Sequence, residues 1–200
     1  MNEQLNFQLF SLIDASSHTN PILVQVAIWM ANGLFYSLVA FLIFYWLVGN
    51  DNQKKLVLKS TCIPLIALGI AQIITHIYPH PRPFMIGMGH TLISHSADAS
   101  FPSDHMTVFS SVAMGFLLSK KYIIGSVIFA FGCLVAWARV FLGIHFPFDM
   151  FGAVILAVIT ALVFVPIWRQ WGETFSQPVI KMYQVMLFQS KISAKSVEMR

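Results

Sequence analysis

The sequence predicts an all-α integral membrane protein, a bundle of about five transmembrane helices with an interfacial amphipathic helix at each end. Three observations carry this expectation. Of the 200 residues, 57% are hydrophobic and 10% charged, whereas soluble domains carry about 25% charged residues. Apolar runs alternate with short polar segments all along the chain. The basic residues then sort to one side of the bundle that those runs define. The length is that of one compact domain, so residues 1–200 are expected to form a single unit.

The elements follow in order. Leu5, Leu9, Leu12 and Ile13 recur at helical spacing and predict a short helix lying in the interface. Residues 1–20 hold no Lys or Arg and no long apolar run, so no signal peptide of the usual form is expected. Pro21–Val48 has no charged residue and makes the first span. Gly49–Lys59 reads as a polar turn carrying Lys54, Lys55 and Lys59, and Ser60–Tyr78 as the second span. Pro79–Ser103 is a loop rich in Pro, Gly, His and Ser. His105–Ser119 makes the third span, Tyr122–Ala138 the fourth and Met150–Trp168 the fifth. Phe175, Val179, Met182 and Met186 predict a second interfacial helix. Cys62 and Cys133 lie inside apolar runs without metal-ligand spacing and read as small core residues.

Five spans put the termini on opposite sides. Lys54, Lys55, Lys59, Lys120, Lys121, Arg169, Lys181, Lys191, Lys195 and Arg200 then share one side; of the 12 basic residues only Arg82 and Arg139 fall on the other. The positive-inside rule makes the large group cytoplasmic and the N-terminus external. All seven histidines fall at or near the outer face. The third span is short: from Asp104 it runs about 24 Å as a helix against about 30 Å of hydrocarbon. Its polar start is therefore expected slightly below the outer lipid surface, where it can meet a headgroup.

Arg82 and Arg139 have no topological reason to be outside, and three pieces of sequence bring them into company. Pro81-Arg82-Pro83 follows the second span. Phe101-Pro102-Ser103-Asp104-His105 opens the third. Arg139, His145 and Asp149 lie between the fourth and fifth. Asp149, four residues after His145 and in the first turn of a helix, can reach one imidazole nitrogen, fix the tautomer and leave the other nitrogen free as base or nucleophile. Ser103 reads either as a helix N-cap or as a hydroxyl for an anion. Together the pieces make a convergent phosphate site: two guanidiniums, a helix N-terminus, a hydroxyl and two imidazoles. Two imidazoles allow one to attack phosphorus and the other to protonate the leaving oxygen. Phosphoryl transfer asks mostly for positioning and charge neutralisation. Asp98 and Asp104 form no clustered ligand pattern, so neither a metal nor a cofactor is expected.

These pieces resemble the three motifs of the type 2 phosphatidic acid phosphatase (PAP2) superfamily, Lys-x6-Arg-Pro, Pro-Ser-Gly-His and Ser-Arg-x5-His-x3-Asp. The chain has Arg82-Pro83, Pro102-Ser103-Asp104-His105, and Arg139-x5-His145-x3-Asp149, over residues 75–149. Thr75 stands where the Lys is expected, Asp104 where the Gly is, and Ala138 where the Ser is. His76 and His80 are candidates to replace the missing lysine contact. The Asp104 variant resembles the bacterial undecaprenyl pyrophosphate phosphatases of the bacitracin-resistance type. The resemblance implies a metal-independent lipid phosphatase with His145 as nucleophile, Asp149 orienting it, and His105 as general acid and then base. Arg82, Arg139 and Ser103 would hold phosphate oxygens. It also implies a polyprenyl pyrophosphate substrate, a multi-pass place in the bacterial cytoplasmic membrane with the site facing out, and no nucleic-acid partner. Phosphatidylglycerophosphate or phosphatidate phosphatase, lipid phosphotransferase, and a lipid-binding protein without catalysis are the alternative readings; oligomeric state is not legible.

Overall fold

The computed structural model describes residues 2–16 and 18–198, with side chains as far as residue 188. Among them there are six α-helices and no strand: α1 Glu3–Ile13, α2 Pro21–Val48, α3 Asp51–Ile77, α4 Asp104–Leu117, α5 Tyr122–Phe141 and α6 Pro147–Glu198. Four of these, α2, α3, α5 and α6, are long and apolar enough to cross a membrane. The fifth crossing expected from the sequence is α4, whose 14 residues make only about 21 Å of helix. It runs between the same two ends of the bundle as the others. Ser103 at its start bonds to Asp149, and Ser119 at its finish meets Lys59.

α4 can be short because it is the inner helix. It packs against α3, α5 and α6, and its residues Phe109, Val112, Ala113 and Phe116 are buried at the centre of the largest apolar cluster. Where α4 meets α3, a Cβ on Gly115 would lie 2.4 Å from Ser60 Oγ, so only glycine permits that approach. The outer faces of the long helices are lined with exposed Ile, Leu, Val and Phe, as a lipid-facing surface requires. Cys133 lies on such a face and Cys62 is half-buried, so neither is the core residue expected.

Three boundaries differ from the sequence reading. The polar stretch 49–59 is not a turn. Asn50 and Gln53 close a capping box, the side chain of each accepting the other's backbone N–H, and α3 begins at Asp51. Its lysines therefore ride on the first turns of a membrane helix. The C-terminal amphipathic segment is not a separate interfacial helix: the same residues prolong α6 past Pro166 and Pro178. The N-terminal helix does not simply lie in the interface. It packs beneath the start of α6, with Phe10 fully buried against Phe146 and Asn6 Oδ1 accepting the Phe148 N–H at 3.0 Å.

Lys54, Lys55, Lys59, Lys121 and Arg169 gather at the end of the bundle opposite Arg82 and Arg139. Arg200 and the side chains of Lys191 and Lys195 lie outside the described residues.

Candidate active site

Each motif residue is placed by a local device. Arg82 sits between two prolines and takes the extended conformation that a following proline imposes (φ −76°, ψ 159°), just before a 3₁₀ turn, Pro83–Ile86. Arg139 comes from the last turn of α5. The loop after it turns at Gly143 (φ 74°), where a Cβ would press on the His90 carbonyl oxygen at 2.6 Å. α6 then starts with Pro147, whose missing N–H costs nothing at the first helical position. Asp149, the third residue of α6, reaches back to the N–H of Phe146 at 2.7 Å, as a capping carboxylate does. The same Oδ2 atom takes His145 Nδ1 at 3.2 Å and the hydroxyl of Ser100. The N–H of Ser103 bonds to the Asp149 carbonyl at 3.2 Å. That bond pins the start of α4, and with it His105, to the start of α6.

The result is a polar cavity of about 140 Å³ whose wall includes Arg82, Arg139, His95, His105 and His145. His145 is buried, with its Nε2 accepting Arg82 Nη1 at 3.0 Å. A guanidinium only donates, so Nε2 carries a lone pair and the imidazole proton sits on Nδ1, facing Asp149. Burial pushes the His145 pKa down to about 4: loss of hydration outweighs the attraction of Asp149, and Arg139 and Arg82 add repulsion. Arg139 Nη1 and Nη2 likewise meet His105 Nε2 at 3.4 Å and His95 Nε2 at 3.2 Å, so those two nitrogens are acceptors too.

Arg82 makes four hydrogen bonds and a further ion-pair contact. Besides His145 they reach the carbonyls of Ile144 (2.9 Å) and Ala99 (3.3 Å), and Asp98 Oδ1 takes Nε at 2.8 Å and Nη2 at 2.7 Å. Burial alone would raise the Asp98 pKa, but its bonds from Ser96 and Arg82 outweigh that and hold it below the usual carboxylate range.

The remaining sequence candidates are distributed as follows. Thr75 is in the cavity wall, and its hydroxyl donates to the Phe101 carbonyl at 3.2 Å. Ser103 is fully buried; its hydroxyl makes no N-cap bond and has no partner among the described residues. His76 is exposed, bonded to its own helix at the Gln72 carbonyl, and is not in the cavity wall. His80 is buried behind Asp149, with Nδ1 3.9 Å from Asp149 Oδ1 and Nε2 3.2 Å from Glu3, so it backs the carboxylate instead of facing the cavity. Sequence reading missed His95, Asp98, Ser100 and Gln72. His95 is half-buried against Arg139, and burial lowers its pKa. Among the described residues no three His, Cys, Asp or Glu side chains gather as a metal-binding group.

The profile of the PAP2 superfamily matches residues 56–173, more than half of the chain, and every motif residue of the cavity lies inside that range. The chain belongs to the PAP2 superfamily. It is a multi-pass membrane lipid phosphatase of that family. The Escherichia coli (strain K12) protein YbjG, named provisionally as an undecaprenyl-diphosphatase, is 35% identical over 92% of this chain and 93% of its own length. The undecaprenyl-diphosphatase BcrC of Bacillus subtilis (strain 168) is 30% identical over 97% of this chain and 98% of its own. The crystal structure of Aquifex aeolicus LpxE superposes on this PAP2 chain with a TM-score of 0.62 at 25% identity, covering 80% of this chain and 93% of that one.

Proposed function

We propose that the protein removes the terminal phosphate of undecaprenyl pyrophosphate, giving undecaprenyl phosphate, at the outer face of the bacterial cytoplasmic membrane. The substrate assignment rests on the two relatives of that activity, each aligned over more than nine-tenths of this chain. The orientation rests on the gathering of lysines at the far end of the bundle.

The observation that carries the chemistry is the state of His145, with Nδ1–H on Asp149 and a lone pair at Nε2 in the cavity. Nε2 attacks the terminal phosphorus, the bond from phosphorus to the bridging oxygen breaks, and undecaprenyl phosphate leaves. A water then attacks the phosphohistidine, and inorganic phosphate departs. His105, protonated at Nε2 once the incoming phosphate draws Arg139 to itself, gives that proton to the leaving oxygen in the first step and takes one from water in the second. Arg139 and Arg82 hold the equatorial oxygens. Because Arg82 donates to His145 Nε2 in the structure described, an incoming phosphate must draw that donor to itself, and doing so frees the nucleophile.

Phosphate release by the purified protein from undecaprenyl pyrophosphate, phosphatidylglycerophosphate and phosphatidate tests the substrate. The first is expected to have the highest kcat/KM; a preference for either of the others overturns the assignment. An acid-labile, base-stable phosphoenzyme that is absent in His145→Ala tests the nucleophile, and its presence in that variant refutes it.

A further inference from the structure

The lysine-rich end of the bundle holds a second site. Two lysines of α3 are nine-tenths buried there, and their circumstances differ. Lys54 is provided for: its ammonium donates to the Gly49 carbonyl and lies over the Tyr183 ring, 5.7 Å from the centroid. Among the described residues Lys59 hydrogen-bonds only to the hydroxyl of Ser119, whose own proton is given to the Gly115 carbonyl at 2.7 Å. No carboxylate among the described residues comes within 4.0 Å of Lys59. An ammonium has three N–H donors, and a buried cation with one neutral partner is costly unless an anion answers it.

Lys59 lines a cavity of about 250 Å³ with Lys55, Lys121, Ser119, Leu56 and Trp168. Glu173, which pairs with the wall residue Lys55 at 2.5 Å, also accepts from Gln177 at 3.0 Å. Lys121 in the wall and Arg169, next to the wall residue Trp168, are exposed, and neither has an acidic partner within 4.0 Å among the described residues. The cavity is therefore cationic on balance. Trp168 also forms part of a second, predominantly apolar groove of about 460 Å³ between α3 and α6, lined by Cys62, Ile66, Phe164 and Trp171 among others. A cationic cup that opens through a shared tryptophan onto an apolar trough has the polarity of a phospholipid: a phosphate at one end, a chain at the other. A free anion would use the cup and leave the trough without a function.

We propose that Lys59, Lys121 and Trp168 form a binding site for an anionic phospholipid, in the leaflet opposite the catalytic cavity, with the headgroup phosphate on Lys59 and one acyl chain in the α3/α6 groove. Neither the substrate assignment nor the His145 chemistry enters this argument, so the two can fail separately. A net negative headgroup is preferred over phosphatidylcholine, because the cup has spare cations and no free carboxylate for a choline.

Native mass spectrometry of the delipidated full-length protein, with phosphatidylglycerol or phosphatidylcholine added to the micelles, tests it. Phosphatidylglycerol is expected to be retained and phosphatidylcholine not. Lys59→Met should lower retention about fivefold or more, and Lys59→Arg should preserve it. Lys121→Gln, on the exposed rim, should also lower retention and does not risk the fold; Cys62→Trp should lower it by filling the groove with the charges intact. Phosphatase activity in lipid-free detergent should be unchanged in all four variants. Equal retention of the two lipids, or wild-type retention by Lys59→Met and Lys121→Gln, overturns the proposal. So does displacement of the lipid by millimolar inorganic phosphate with no effect of Cys62→Trp, which would mark a free-anion site.

Discussion

Replacing Asp149 by Asn separates two ways in which a carboxylate can serve an imidazole. Oδ2 accepts three donors, the Phe146 N–H, the Ser100 hydroxyl and His145 Nδ1–H, whereas Oδ1 is buried without a hydrogen-bond partner and has only His80 Nδ1 nearby, at 3.9 Å. The asparagine oxygen must take the Oδ2 place, because a backbone N–H cannot donate to an amide NH₂. The NH₂ then falls beside His80. His145 keeps its proton on Nδ1, so the variant retains the tautomer and loses only the charge. That charge matters as Nε2 bonds to phosphorus and the imidazole turns cationic. At about 4 Å and an effective dielectric constant near 20 the attraction is about 4 kcal/mol, so kcat should fall about 10³-fold. KM should barely change and the thermal midpoint should stay near wild type, since the bonds from the Phe146 N–H and the Ser100 hydroxyl survive. The assay is steady-state phosphate release together with rapid-quench trapping of the phosphoenzyme. A kcat within threefold of wild type would refute the electrostatic role; so would an intact rate of phosphoenzyme formation.

Other outcomes follow from the same geometry. His145→Ala should abolish turnover of every lipid substrate, while His105→Ala should spare a pyrophosphate lipid more than a monophosphate lipid, whose alkoxide leaving group needs the proton; general acid help is worth about 10²–10⁴-fold, so comparing the two kcat values reads the gap. His145 is nucleophilic when neutral and its pKa is held down to about 4, so kcat/KM should stay flat as pH drops through the usual histidine range and fall only as pH passes below about 4. An acid limb centred near 6.5 would place the titrating group elsewhere. A reporter fused after Arg200 should be cytoplasmic and one inserted in the loop 85–100 external, and the reverse result would invert the orientation of the whole bundle.

The site was legible where chemistry depends on spacing along one element or turn. His145-x3-Asp149 predicts a contact because both residues belong to one helix start, and Arg82 between prolines predicts a stiff presentation. His95 and Ser100 were not legible: they sit in a loop without periodicity, and their neighbours Arg139 and Asp149 lie about 44 and 49 residues further on. Thr75 shows the mixed case, since motif alignment located it but only the fold revealed that its hydroxyl braces the Phe101 carbonyl. The start of α3 was misread although its signal was present. Asn50 followed by Gln53 is a capping box, but Lys54, Lys55 and Lys59 give the same stretch the composition of a polar turn. For α6 the fall in hydropathy after Trp168 marked the end of a membrane segment, which is a different boundary from the end of a helix.

The contact of α1 with the loop that carries His145 bears on how this scaffold can be recombined. Phe146 and Phe148, which follow His145 and flank Pro147 at the start of α6, are held by Phe10 and Asn6 from the far end of the chain. His80, behind Asp149, is held by Glu3. The loop that carries His145 and the first helix are therefore one exchangeable part written in two places. A chimera that imports residues 139–149 from a relative needs that relative's residues 3–14 as well, or the new loop will rest on a helix shaped for the old one.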